Sequence, residues 1–232
     1  MLIAGAVYFS QWDVDAKKNS EVMKACITAL SKQADFLFLY GNKLVDSDMI
    51  AFCRSLPNLA KLTIDDTDFR EGWVFKGMKS LAHAVNQIDR PCDWVLFPDS
   101  DDTLPGCVRA AVEEADKAGC TCVEFPRVDV RWGDRILDTR DYPGGPHVLA
   151  AKMNPKPTWD ACPGFNIPDN TSPRMIYHCR YPSRHYRYAT PALIKARKEA
   201  AYAEPYADKD SKTTEFRPDW TWDDYERHFT HG

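Results

Sequence analysis

Four things are scarce in this 232-residue chain, and each narrows the reading. The first is a long apolar run. A membrane-spanning helix takes about 20 apolar residues. The N-terminal stretch LIAGAVYF covers only residues 2–9, no basic segment precedes it and polar SQWD follows at once. It has neither the length of a span nor the pattern of a secretory leader, so a cytoplasmic protein with no transmembrane segment is expected. The second is positive charge. Lys and Arg number 30 against 34 Asp and Glu, a net charge of −4. Dedicated DNA binders carry a basic excess, so that class is disfavoured, although local basic patches remain open.

The third absence is a Cys-x-x-Cys pair. The eight cysteines are Cys26, Cys53, Cys92, Cys107, Cys120, Cys122, Cys162 and Cys179. Cys120 and Cys122 lie two apart in an apparent strand and so are expected on one face. A zinc site needs four convergent ligands, usually built from two close pairs, and no second pair exists. The cysteines read as reduced thiols serving as small hydrophobes. The fourth absence is local. From Thr171 to Lys198 there is no acidic residue.

What is present alternates. Residues 2–9, 35–40 (DFLFLY), 60–65 (AKLTID) and 94–97 (WVLF) read as strands. Between them, 19–31, 47–54 and 72–88 carry apolar residues at helical spacing. The third of these is the clearest, with Val74, Phe75, Met78, Leu81, Ala82, Val85 and Ile88 on one face. A helix is expected at 105–118 and a fifth strand at 121–130. Near-continuous apolar strands alternating with helices predict an α/β domain, a mostly parallel sheet covered on both faces. After residue 131 the rhythm gives way to Pro- and Gly-rich sequence, with short strands expected at 147–152 and 174–178. A mostly polar helix is expected at 191–204. Residues 205–232 read as an aromatic-anchored extension.

WVLFPDSDDTLPG, residues 94–106, is the most informative stretch. It places Asp99, Asp101 and Asp102 at the end of a buried strand, the edge where sheets of this kind bind ligands. Carboxylates crowded there repel one another, and a divalent cation relieves the repulsion. In an extended segment Asp99 and Asp101 point the same way. Asp102 opens the turn and reads as a cap for the next helix.

DSDDTLP, residues 99–105, resembles the DXD motif of GT-A glycosyltransferases, especially the family-2-like group. The same string, as Asp99, Asp101, Thr103 and Leu104, also resembles the first motif of haloacid-dehalogenase-type phosphatases, in which Asp99 would be the nucleophile. The string alone is shared between them. Its position favours the first, because three strand–helix units precede it, whereas the phosphatase motif follows the first strand. Gly72, the helix and Asn86, leading to DRPCDWVLFPDSDD, also resemble the approach to the family-2 DXD strand. IYHCRYPSRHY, residues 176–186, resembles a late family-2 segment whose histidine lies near the metal or diphosphate, which here implies His178.

The resemblance implies a Rossmann-type GT-A domain over residues 1–190. Residues 1–104 would form its nucleotide-binding half, 105–190 its acceptor half, and 191–232 an extension. It implies sugar transfer from a nucleotide-diphosphate donor with Mn²⁺ or Mg²⁺ at Asp99, Asp101 and His178. Donor contacts are expected from Ser10, Gln11, Asn42 and Asp66 after the early strands. Lys76 and Lys79 are placed to reach phosphate, and Arg180 and Arg184 to close over the diphosphate. An inverting enzyme needs a carboxylate base at the acceptor hydroxyl, and Asp160 and Asp169 are the candidates. The acceptor is open: a glycan, a lipid-linked group, a protein or a nucleic acid. The basic, tyrosine-rich segment after Thr171 also suits a nucleic-acid surface. A non-catalytic nucleotide-sugar or nucleic-acid-binding module therefore stands as a further alternative.

Overall fold

β1 (Ile3–Phe9) is buried along its length apart from partly covered Tyr8, as expected of a strand with neighbours on both edges and helices on both faces. The computed structural model describes residues 1–9, 16–42, 45–65, 82–131, 135–136, 147–159, 168, 172 and 175–186. Within them α1 (Ala16–Ser31) follows β1. β2 (Phe36–Asn42), α2 (Ser47–Arg54) and β3 (Leu59–Asp65) come next. Residues 82–86 are the described part of α3, and β4 (Trp94–Leu96) follows. The rest are β5 (Asp102–Thr103), α4 (Val108–Lys117), β6 (Cys122–Phe125), β7 (Arg127–Arg131) and β8 (Arg135–Ile136). The last three are β9 (His147–Lys152), β10 (Ile176–His178) and β11 (Ser183–His185).

The main sheet has seven strands in the order β10-β6-β9-β4-β1-β2-β3. β1 pairs in parallel with β2 and β4, β2 with β3, and β6 with β10. β9 is antiparallel to both β4 and β6. The six other strands therefore end on one edge of the sheet.

Alternation along each strand sorts the core into two layers. Ile3, Val7, Phe9, Leu37, Leu39, Trp94 and Leu96 pack with Met23, Ile27 and Leu30 of α1, Met49 and Cys53 of α2 and Val108 and Val112 of α4. Ala4, Ala6, Phe38, Tyr40, Val95 and Phe97 pack on the other face with Ala84 and Val85 of α3, with Ile88 just beyond it and with Trp159. Gly5 lets α1 lie close to β1: a Cβ there would stand 2.8 Å from Leu37 Cδ2 and 3.0 Å from Leu30 Cδ2. The N–H of Met49 donates to the Asp46 carboxylate at 2.7 Å, which caps α2.

Three expectations change. The single strand at 121–130 is two, because Pro126, with no N–H to donate, separates β6 from β7. β7 enters a second sheet of order β5-β11-β7-β8. The strand does not begin until Cys122, so Cys120 lies outside the two-residue alternation and packs on the α1/α2/α4 layer, while Cys122 faces the other. The helix expected at 105–118 starts at Val108 after Cys107, with no side-chain cap. Asp102 is thus not its cap but part of β5. The helix expected at 72–88 is found over 82–86, while its first part at 72–81, the helix expected at 191–204 and the extension at 205–232 lie outside the described residues. Among the described residues no two cysteines are joined in a disulfide. Among the described residues, no helix is long and apolar enough to cross a membrane.

Candidate functional site

Phe97 is the last fully buried residue of the β4 run, its N–H donating to Leu149 O at 2.9 Å. Beyond it the chain turns. The Asp102 N–H donates to Asp99 O at 3.0 Å, so Asp99 and Asp101 stand on a tight turn rather than on an extended segment sharing one direction. β11 then closes on the turn. Arg184 and His185 pair with Thr103 and Asp102, and the Tyr186 N–H donates to Asp101 O at 2.8 Å. On its far side β11 pairs with β7, which brings in Arg127.

The three carboxylates have different surroundings. Asp99 is 52% exposed, Asp101 16% and Asp102 0%. Arg127 Nη2 lies 3.5 Å from Asp99 Oδ2 and 3.5 Å from Asp102 Oδ1. Its Nη1 lies 2.9 Å from His147 Nε2, a contact in which the guanidinium donates. His185 Nε2 lies 3.5 Å from Asp101 Oδ2. Neither oxygen of Asp102 accepts a hydrogen bond from a described residue. Val22 and Cys26 of α1, with Tyr186, form a small apolar cluster nearby.

The electrostatics follow from this burial. Asp102 is pushed up to about 6, chiefly by loss of water, with Asp99 and Asp101 adding to the rise and Arg127 and His185 opposing it. Burial and Arg127 disfavour the charged form of His185, but Asp101 and Asp102 outweigh them and hold it above the ordinary histidine value. The Cys26 thiol is raised well above its usual range by burial, then by Asp101 and Asp102.

Asp99 and Asp101 are thus brought together with one another, with Arg127 and with His185. His178 is placed elsewhere, at the exposed end of β10, with Nδ1 2.5 Å from Glu124. Arg180 is exposed between β10 and β11, and Arg184 is exposed on β11 beside Thr103. Asn42 ends β2 opposite Asp65 of β3, whose carboxylate accepts from Tyr40 Oη at 2.5 Å. Ser10, Gln11, Asp66, Lys76, Lys79, Asp160 and Asp169 lie outside the described residues. Among the described residues, no group of three or more His, Cys, Asp or Glu side chains is arranged to hold a metal ion by itself.

Arg127, His147 and His185 were not singled out by the sequence reading. His185 stands in the same IYHCRYPSRHY segment as His178, but on the strand that joins the second sheet. Pro126 was the available sign of Arg127, since a proline inside a strand pattern marks a break or an edge.

No protein-family model and no curated protein matches the chain. Solved structures do resemble it. TarS of S. aureus superposes with a TM-score of 0.51 at 13% identity, over 87% of this chain and 39% of that one. A mycobacterial protein superposes with a TM-score of 0.50 at 16% identity, over 86% of this chain and 72% of that one. The fold is GT-A-like, of the Rossmann type. This chain therefore spans well under half the length of the TarS structure.

Proposed function

We propose that the chain is a glycosyltransferase that moves a sugar from a nucleotide-diphosphate donor to an acceptor hydroxyl, with Mn²⁺ or Mg²⁺ at Asp99 and Asp101. The observation that carries this is the acidic turn at the carboxyl end of β4, a central parallel strand, with Arg127 and His185 gathered against it. The GT-A-like fold, shared with TarS, supports it.

The donor set fits such a cation. Mg²⁺ is commonly held by one or two carboxylates, with substrate phosphates completing the shell. Asp99 and Asp101 are hard oxygen donors at the ligand-binding edge, and the described residues add no third carboxylate cage around them. When bound, the cation would offset the charge that develops on the departing diphosphate.

The chain's own groups have separable tasks in this reading. Asp99 and Asp101 bind and orient. His185, rather than His178, is the histidine within reach of them. Arg180 and Arg184 offer exposed positive charge on the segment that leads into β11. Ser10, Gln11, Asn42, Asp66, Lys76 and Lys79 are proposed for the nucleotide and its phosphates, and Asp160 or Asp169 for the base.

The test is a donor-hydrolysis screen over UDP-, GDP- and CDP-sugars with Mn²⁺. Turnover of one donor should fall about 100-fold or more in Asp99→Asn and Asp101→Asn, the loss expected when several kcal/mol of charge stabilisation disappears. No hydrolysis of any donor, together with no thermal stabilisation by any nucleoside diphosphate plus Mn²⁺, sinks the reading. Aryl phosphate hydrolysis abolished by Asp99→Asn would point to a phosphatase instead.

A further inference from the structure

Arg127 stands between an exposed carboxylate and a buried one. Its side chain is 7% exposed, Asp99 52% and Asp102 0%, and Nη2 is 3.5 Å from each. Those separations allow an ion pair but exceed a normal N–H···O hydrogen bond. Asp102 has neither oxygen satisfied, although unpartnered buried polar atoms are rare in native proteins and call for a reason. Water screens the attraction to Asp99 far more than the attraction to Asp102. The contact with His147 tethers the guanidinium at its other nitrogen. A small movement toward Asp102 would give that carboxylate the hydrogen bond it lacks and would release Asp99. The same geometry recurs in weaker form at His185, which touches Asp101 and also faces Asp102.

We propose that Asp102 and Arg127 are positioning residues: the buried carboxylate draws the guanidinium away from Asp99 and leaves Asp99 open to a divalent cation. The proposal rests on the reading of Asp99 and Asp101 as the cation-binding carboxylates. Asp102 in this scheme never touches the ion. It acts by keeping a competing positive charge off the turn. In Asp102→Asn the guanidinium keeps its ion pair with Asp99, the other carboxylate it meets among the described residues.

Mn²⁺ is the probe, with free ion counted by electron paramagnetic resonance in the presence and absence of UDP, GDP or CDP. Asp102→Asn should bind Mn²⁺ about ten- to a hundredfold more weakly than the natural chain, the usual cost of losing a residue that supports a metal ligand. The double variant Asp102→Asn/Arg127→Gln removes both charges together, a change that buried pairs often tolerate, and should return to within about threefold of the natural affinity. Natural affinity in Asp102→Asn overturns the proposal. So does a double variant as weak as the single one; if the single variant does not fold, the double variant is compared with the natural chain instead, and binding about tenfold or more weaker overturns the proposal. Asp99→Asn/Asp101→Asn separates the two levels. If it binds Mn²⁺ normally, or if the natural chain holds none under any condition, the site reading itself falls and this proposal with it. If it loses Mn²⁺ while Asp102→Asn does not, the site stands and only the positioning role is lost.

Discussion

A carboxylate wholly out of water costs several kcal/mol unless its surroundings compensate, and the protein sets one such group against a part-exposed carboxylate at the opposite end of its sheet. The Asp102 carboxylate is fully buried and accepts no hydrogen bond from a described residue, at the functional edge. Asp35 lies at the amino edge and accepts from the Ile3 N–H at 2.7 Å and from Arg109 at 3.0 Å. Burial alone would raise the Asp35 pKa, but the Ile3 hydrogen bond and then Arg109 bring it below the ordinary value of 3.8. A lowered folded pKa stabilises at pH above the unfolded value, and the benefit is lost as pH falls through the folded one. Asp35→Asn should therefore be less stable than the natural chain near neutrality, and the gap should close below pH 3.8, as read by urea unfolding at several pH values. Leu96, fully buried in β4, offers a simpler case. Leu96→Ala should cost about 2–5 kcal/mol in the same measurement, from lost transfer energy and the cavity left behind. At this scale the acidic turn was legible because three carboxylates after an apolar run are a local pattern. Arg127 and His185 were not, because pairing across β5, β11 and β7 brings them there from 25 and 83 residues beyond Asp102.

Elements were legible where their pattern was local. The helix read at 47–54 and the strand read at 147–152 are found with those bounds, since each is framed by its own periodicity and by turn residues. The break at Pro126 was not read, because the apolar run continues across it and only tertiary pairing assigns its two halves to different sheets. The direction of β9 was equally hidden. It runs against both β4 and β6, with Val95 and Val123 opposite Ala151 and Ala150. A strand bonded on both sides tolerates no proline. Ala150→Pro should abolish folding rather than merely weaken it, seen as loss of soluble protein and of cooperative thermal unfolding. A natural melting curve for that variant would show that the ladder through β9 is dispensable.

Across the whole molecule, both sheets are completed by a late strand placed in their interior. β9 lies between β4 and β6, and β11 between β5 and β7. The alternating α/β character was plain from the repeated strand–helix rhythm, but strand order was not, because order is a property of long-range pairing and leaves no periodic trace. A chain ending at residue 146 lacks both late strands. It should remain unfolded by circular dichroism despite containing β1 to β8, and a folded fragment would contradict the observed pairing as the source of stability. The arrangement also sets a schedule for synthesis. A ribosome delivers Asp99, Asp101 and Asp102 some 80 residues before the strand that seats them, a lag read directly from the positions of β5 and β11. During that interval the nascent chain carries open inner strand edges, which are templates for wrong partners. It also carries all three aspartates with no means of fixing their separation from Arg127. Translation halted between Asp102 and His185 would therefore yield a polypeptide that has the motif and lacks the site.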